Sequence, residues 1–171
     1  MLRTVAKFLK ILNSDAEPGQ ITLGFAFAMV AGLTPLLSLH NLAVLFLVLM
    51  LRVNLASFLL GLALFSGLAF ALDPIFHRIG LAVLTTPALE GLWTTLYAST
   101  LWRLERFNNS IVMGSLALSL ALFVPMVLVG NVLVRTYRER VLRWVMRTRL
   151  MQALQASKLF GMYHSASGWG E

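Results

Sequence analysis

Residues 18–54 read PGQITLGFAFAMVAGLTPLLSLHNLAVLFLVLMLRVN. Two apolar runs meet at Thr34-Pro35, and Ser38, His40 and Asn41 follow closely. Pro18 suits the first position of a helix, where no backbone donor is missed. Thr34-Pro35 repeats the signal, a capping residue followed by proline. The stretch 18–51 is therefore expected to form a short helical hairpin, with one arm from Pro18 to Leu33 and a second from Pro35 to Leu51. Each arm would be about 25 Å long at 1.5 Å per residue, against a bilayer hydrocarbon core of about 30 Å. Such arms either cross a locally thinned bilayer, or enter and return as a re-entrant pair whose tip is covered by protein or water. The charge count permits both. Arg52 and Asn54 close the hairpin and suit a membrane surface.

The rest of the chain reads as support for this hairpin. Of 171 residues, 58% are hydrophobic and only 12% charged, where a soluble domain is about a quarter charged. The apolar residues come in runs, the signature of an integral membrane protein. Leu55–Leu72 is long enough to cross, and the charge-free run Ser110–Val134 is the strongest crossing in the chain. Asp73-Pro74 reads as a cap and the start of a new segment. Residues 74–107 are then expected to hold interfacial helices, with Trp93, Tyr97 and Trp102 at headgroup level. Residues 1–13 form an amphipathic pattern with Arg3, Lys7 and Lys10 on one face. Residues 135–165 form a basic one that gathers Arg140, Arg143 and Arg147. The expected fold is a single all-α membrane domain, 1–171: a hairpin of two short helices, two longer transmembrane helices, and amphipathic interfacial helices at both ends and in the middle connection.

Charge orients it. The net charge of +7 lies mostly at the two ends, whereas the 73–109 connection is balanced. Both ends are expected to be cytoplasmic, on a multi-pass protein of a bacterial inner membrane, with anionic headgroups against the basic clusters. No nucleic-acid module accompanies the positive charge, so nucleic acid is not an expected partner.

Two rows of small residues suggest how the helices meet. Gly24, Ala28 and Gly32 share one face of the first arm. Ala63, Gly67 and Ala71 share a face of the next helix and are the expected partner row.

Polar groups inside an apolar hairpin are costly, and are candidates for function. Thr34, Pro35, Ser38, His40, Asn41, Arg52 and Asn54 are the candidate pathway-lining or lipid-contacting residues, with Arg52 suited to a lipid phosphate. The alternative is local satisfaction, Ser38 bonding its own backbone and Asn41 bridging helices. Cysteine is absent, which excludes disulfides and thiol chemistry. The three histidines, His40, His77 and His164, have no ligand-spaced partners, and no nucleotide motif is present. Neither metal nor cofactor is expected. Serine hydrolysis needs a base with an orienting acid. No carboxylate lies near His40 in the sequence and no G-x-S-x-G occurs, so no catalytic residue is assigned and an enzyme is not expected.

The pattern Pro18, Gly24, Gly32, Pro35, Arg52, Asn54 resembles bacterial inner-membrane proteins of the family called domain of unknown function 2062. Within that family the chain is similar to a subgroup with LHN after the break, LDP after the third helix and RFNN before the last. Here these are Leu39-His40-Asn41, Leu72-Asp73-Pro74 and Arg106-Phe107-Asn108-Asn109. The chain departs from the broader family at His40-Asn41, where many members carry a glycine-containing segment. The resemblance implies localisation and fold. It also implies an accessory subunit beside a larger membrane-anchored envelope protein. With the hairpin and basic anchors, it leads to a first functional expectation, a small component of an envelope assembly that passes lipid to or from a larger partner. The alternative is a small transporter or channel with a broken-helix pathway near His40 and Asn41. A third is a structural scaffold.

Overall fold

The computed structural model describes residues 16–142. The amphipathic segment expected at 1–13, and the part from 143 onward of that expected at 135–165, with Arg3, Lys7, Lys10, Arg143 and Arg147, lie outside the described residues. Among the described residues every regular element is helical. The chain divides into two units, 1–132 and 133–171. The first holds the helical bundle. In the second, the described residues are the end of a long helix and a π-helical stretch, Tyr137–Leu142, that carries Arg140 at an exposed position.

Helix α1, Pro18–Leu33, begins with Pro18 in its first turn, as the proline rule expects. It ends at Thr34, whose backbone is extended (φ −101°, ψ 162°), because a residue before proline is pushed out of the helical region. Helix α2 is Leu39–Met50, not Pro35–Leu51. Thr34 does not cap it. Its hydroxyl lies 2.8 Å from the Val30 carbonyl of α1, so its proton is engaged behind it. Ser38 takes the capping role, accepting the Asn41 N–H at 3.4 Å. At 12 residues, α2 is about 18 Å long.

Helix α3, Leu55–Leu84, is capped by Asn54, which accepts the Ser57 N–H at 2.8 Å. It passes straight through Asp73-Pro74, where the sequence suggested a boundary. An interior proline costs about 3 kcal/mol. Two residues further on, Phe76 is fully buried. One turn after that, Gly80 lies backbone to backbone against Ser110 and Gly114. That docking holds the second half of α3 in line. The remaining connection carries a 3-10 turn Pro87–Leu89, α4 Glu90–Ala98 and α5 Thr100–Leu104. Helix α6, Ser110–Thr136, follows, with Asn109 Oδ1 accepting the N–H groups of Ile111 at 2.9 Å and Val112 at 3.3 Å. Both α3 and the stretch that continues from α6 to Arg140 are long and apolar enough to cross a membrane.

Helix α1 is the centre. Eleven of its 16 residues are buried. It runs parallel to α3, because partners advance together along both. The Asn54 N–H donates to Gln20 O at 3.1 Å, and Ser57 Oγ donates to Ile21 O at 3.1 Å or to Asn54 O at 2.7 Å. Gly61 then meets Ala28 and Phe25, and Gly32 meets Phe65 and Leu62. The face of α1 bearing Gly24, Ala28 and Gly32 is thus seated on α3, against Ser57, Gly61 and Phe65. The expected partner row is on the wrong side: Ala63 and Ala71 are exposed, and Gly67 faces open space. Residue 63 lies two positions before 65, about 200° round the helix, which places its row on the far face.

Helix α6 runs antiparallel to α1. Thr22 Oγ1 bonds Asn131 Oδ1 at 3.0 Å, and the Phe27 and Phe123 rings meet edge-on with centroids 5.1 Å apart. Val44 and Val48 of α2 and Phe58 of α3 complete the apolar core around Phe27, Val30 and Ala31. On the outer side of α2, Leu42, Phe46, Leu49 and Met50 are exposed.

Candidate functional site at the hairpin tip

The polar residues of the hairpin gather where α1 gives way to α2. Asn41 is buried and spends its amide on the turn itself. Its Nδ2 donates to Ala31 O at 3.2 Å and Pro35 O at 2.9 Å, and its Oδ1 lies 3.2 Å from Thr34 Oγ1. The Thr34 hydroxyl has one proton, shared between Asn41 and Val30 O. Together the two residues bind the end of α1 to the start of α2. Within lipid such groups must find partners inside the protein, and here both do. Asn41 is therefore a clamp, in line with the local-satisfaction reading.

His40 turns the other way and meets Glu105. The Glu105 carboxylate is buried, accepts the Leu39 N–H at 2.8 Å through Oε2 and bonds His40 Nδ1 through Oε1. On the far side of the ring, His40 Nε2 lies 3.1 Å from Ser38 Oγ. The bond from the Leu39 N–H also satisfies one of the first N–H groups of α2, which have no acceptor inside the helix, and it sets a carboxylate where the helix dipole favours one.

Glu105 is brought in across 65 residues of sequence, and its neighbours explain how. Arg106 adopts the left-handed region, φ 53°, the only non-glycine among the described residues to do so. This sharp turn lets Glu105 face the hairpin while Phe107 is buried beneath α4. The Phe107 ring lies 6.0 Å from Trp93 and 6.5 Å from Tyr97, centroid to centroid. The aromatics expected at a headgroup level thus help seat the turn that delivers Glu105, although Tyr97 remains exposed.

Glu105 is not legible from the sequence around His40, because 65 residues separate the two and no carboxylate lies near His40 in the chain. The RFNN stretch that follows Glu105 was visible, but nothing in its spacing pointed to His40. Of the other candidate residues, Pro35 has an exposed ring and contributes its carbonyl to the Asn41 clamp, and Arg52 is exposed and lies outside the tip cluster. Asn54 is the α3 cap, at the opposite end of α1. Among the described residues no three His, Asp or Glu side chains gather as a metal site.

These features define a class: an all-helical bacterial protein with two helices long and apolar enough to cross a membrane, built round a short hairpin whose first arm is buried. More specifically, the chain belongs to the family described as "Uncharacterized protein conserved in bacteria (DUF2062)", whose model matches residues 2–143. It is similar to an uncharacterized protein of Treponema pallidum (strain Nichols), 25% identical over 138 residues, covering 81% of this chain and 85% of that protein. No solved structure matches the chain.

Proposed function

We propose that the chain is an accessory subunit of a bacterial inner-membrane assembly of the cell envelope, and that it engages phospholipid and a larger partner through its outer surfaces rather than passing a solute through its centre. The observation that supports this is the closure of the middle. Helix α1 is enclosed by α2, α3 and α6, and Asn41 and Thr34 spend their polar groups on the hairpin itself. A broken-helix transport pathway needs polar groups free to face a passing ion or solute. The transporter reading would need these bonds to open.

Lipid is the natural ligand of the outer surface. Helix α2, about 18 Å long, is too short for a bilayer of about 30 Å, and its outward side is Leu42, Phe46, Leu49 and Met50. A short apolar helix held at a fixed depth thins the bilayer beside it, which lowers the barrier to moving a lipid there. The basic ends of the sequence, placed on the cytoplasmic side, would hold anionic headgroups.

The test is a pull-down of the full chain from native membranes in mild detergent, with protein and lipid both identified. A stoichiometric membrane-anchored partner with bound phospholipid is the expected result. A partner without lipid removes the lipid part of the proposal. No partner, together with substrate flux in reconstituted vesicles that Asn41→Ala abolishes, replaces it by the transporter. Labelling of a cysteine placed at exposed Leu36 from the outside separates a crossing hairpin, which reacts, from a re-entrant one, which does not.

A further inference from the structure

We propose that Ser38, His40 and Glu105 form an acyl-transfer site, with a serine nucleophile, its general base and the carboxylate that orients the base, acting on a fatty-acyl ester in the membrane. This goes beyond the accessory role and does not depend on it.

The protonation pattern follows from the contacts. An ionised carboxylate only accepts hydrogen bonds, so the His40 nitrogen that meets Glu105, Nδ1, carries the proton. Nε2 is then a lone pair, and Ser38 Oγ, 3.1 Å away, donates to it. The serine oxygen keeps its own lone pairs, and one accepts the Asn41 N–H at 3.4 Å, so the capping bond and the bond to His40 coexist. This is the order that activates a weak nucleophile: hydroxyl to imidazole, imidazole to a fixed acid. Glu105 is itself fixed by the Leu39 N–H at 2.8 Å.

Two further features point to an acyl ester. The first turn of α2 carries N–H groups with no acceptor inside the helix. Glu105 takes that of Leu39 and Ser38 that of Asn41, which leaves the His40 N–H for a developing oxyanion. Around a partly exposed Ser38, the side chains of Leu36, Leu37 and Leu39 are exposed, at 58%, 102% and 45%. This apolar surround suits a fatty chain rather than a polar ester.

In the reaction, Ser38 Oγ adds to the acyl carbonyl carbon as its proton passes to His40 Nε2. The tetrahedral adduct collapses, the acyl C–O bond breaks, and His40 returns the proton to the departing alcohol oxygen. Water, deprotonated by the same imidazole, then releases the fatty acid and restores Ser38. Ser38 and His40 are the catalytic residues. Glu105 acts through His40 and is a positioning residue.

The experiment uses the full chain in lipid nanodiscs with an alkyl fluorophosphonate, and locates the adduct by peptide mass spectrometry. The expected result is a covalent label on Ser38. Ser38→Asn keeps an equally good helix cap but removes the nucleophile, and should lose the label. His40→Gln should slow labelling by roughly 100-fold or more, the range of general-base catalysis. With p-nitrophenyl decanoate as substrate, Glu105→Gln should lower kcat with KM unchanged, an effect that a purely structural tie would not produce. Folded wild-type protein that stays unlabelled overturns the proposal, as does undiminished labelling of Ser38→Asn.

Discussion

The crossing of α3 and α6 gives a prediction whose sign depends on which glycine of one helix is changed. Gly80 and Gly114 sit at the point where the two backbones touch. A Cβ on Gly80 would overlap the Ser110 carbonyl, and one on Gly114 would overlap that of Phe76. The obstructing atoms are backbone, so no side chain can rotate away and the helices must separate. Overpacking of this kind costs about 1–3 kcal/mol. Alanine recovers about 1 kcal/mol of helix propensity. Because the clash is with backbone on both sides, the cost falls in the upper part of that range, about 2–3 kcal/mol, and the net expectation for Gly80→Ala is a loss of about 1–2 kcal/mol. Gly67 is on the same helix but faces open space, so Gly67→Ala keeps only the propensity gain of about 1 kcal/mol. At about 2–4 °C per kcal/mol for a chain of this size, Gly80→Ala should lower the unfolding midpoint by about 2–8 °C and Gly67→Ala should raise it by about 2–4 °C. Thermal unfolding of the detergent-purified protein, followed by the fluorescence of its four tryptophans, measures both. Equal midpoints for the two variants would refute the close crossing.

Other perturbations probe the rest of the frame. Asn41→Leu keeps the volume of the clamp but strips donors from Ala31 O and Pro35 O, and should cost about 2–3 kcal/mol in the same unfolding measurement. Asn54→Ala should cost about 1 kcal/mol through loss of the α3 cap, while Asn54→Ser should restore most of it. The natural chain has no cysteine, so Thr22→Cys with Asn131→Cys provides a clean pair. The native side-chain oxygens are 3.0 Å apart, and a short bis-thiol-reactive crosslinker should join the two cysteines in a bond seen as a mobility shift on gels. Absence of that bond would argue against antiparallel packing of α1 on α6.

Much of the frame was legible because proline and cap residues act locally. Pro18 starts a helix where it should, Thr34-Pro35 ends one, and the charge-free run from Ser110 is a single long helix. The errors came where a local signal competes with contacts from elsewhere. Asp73-Pro74 has the chemistry of a helix start, but Phe76 and Gly80 dock on α6 and carry α3 through it. Thr34 looked like the cap of α2, but its hydroxyl turns back on α1 and Ser38 caps instead. The small-residue row of α1 was readable as a packing face, whereas its partner face on α3 was not. Three candidate residues fall on nearly every side of a helix rich in alanine and glycine, and only the neighbouring helix selects among them. The pairing of His40 with Glu105 depends on a turn at Arg106 far along the chain, and no local pattern encodes it.

The enclosure of α1 also has a temporal side. Its bond from Thr22 to Asn131 spans 109 residues. At about 5–20 residues per second of synthesis, α1 waits about 5–20 s for α6 to be made. During that interval α3 can already lie beside it, held by the short-range bonds from Asn54 and Ser57, while the flank that will receive Phe123 and Asn131 faces lipid or a neighbour. Helix α1 is therefore exposed to its surroundings until α6 has been made. Any factor that shields this flank would act on the nascent chain and be displaced by α6.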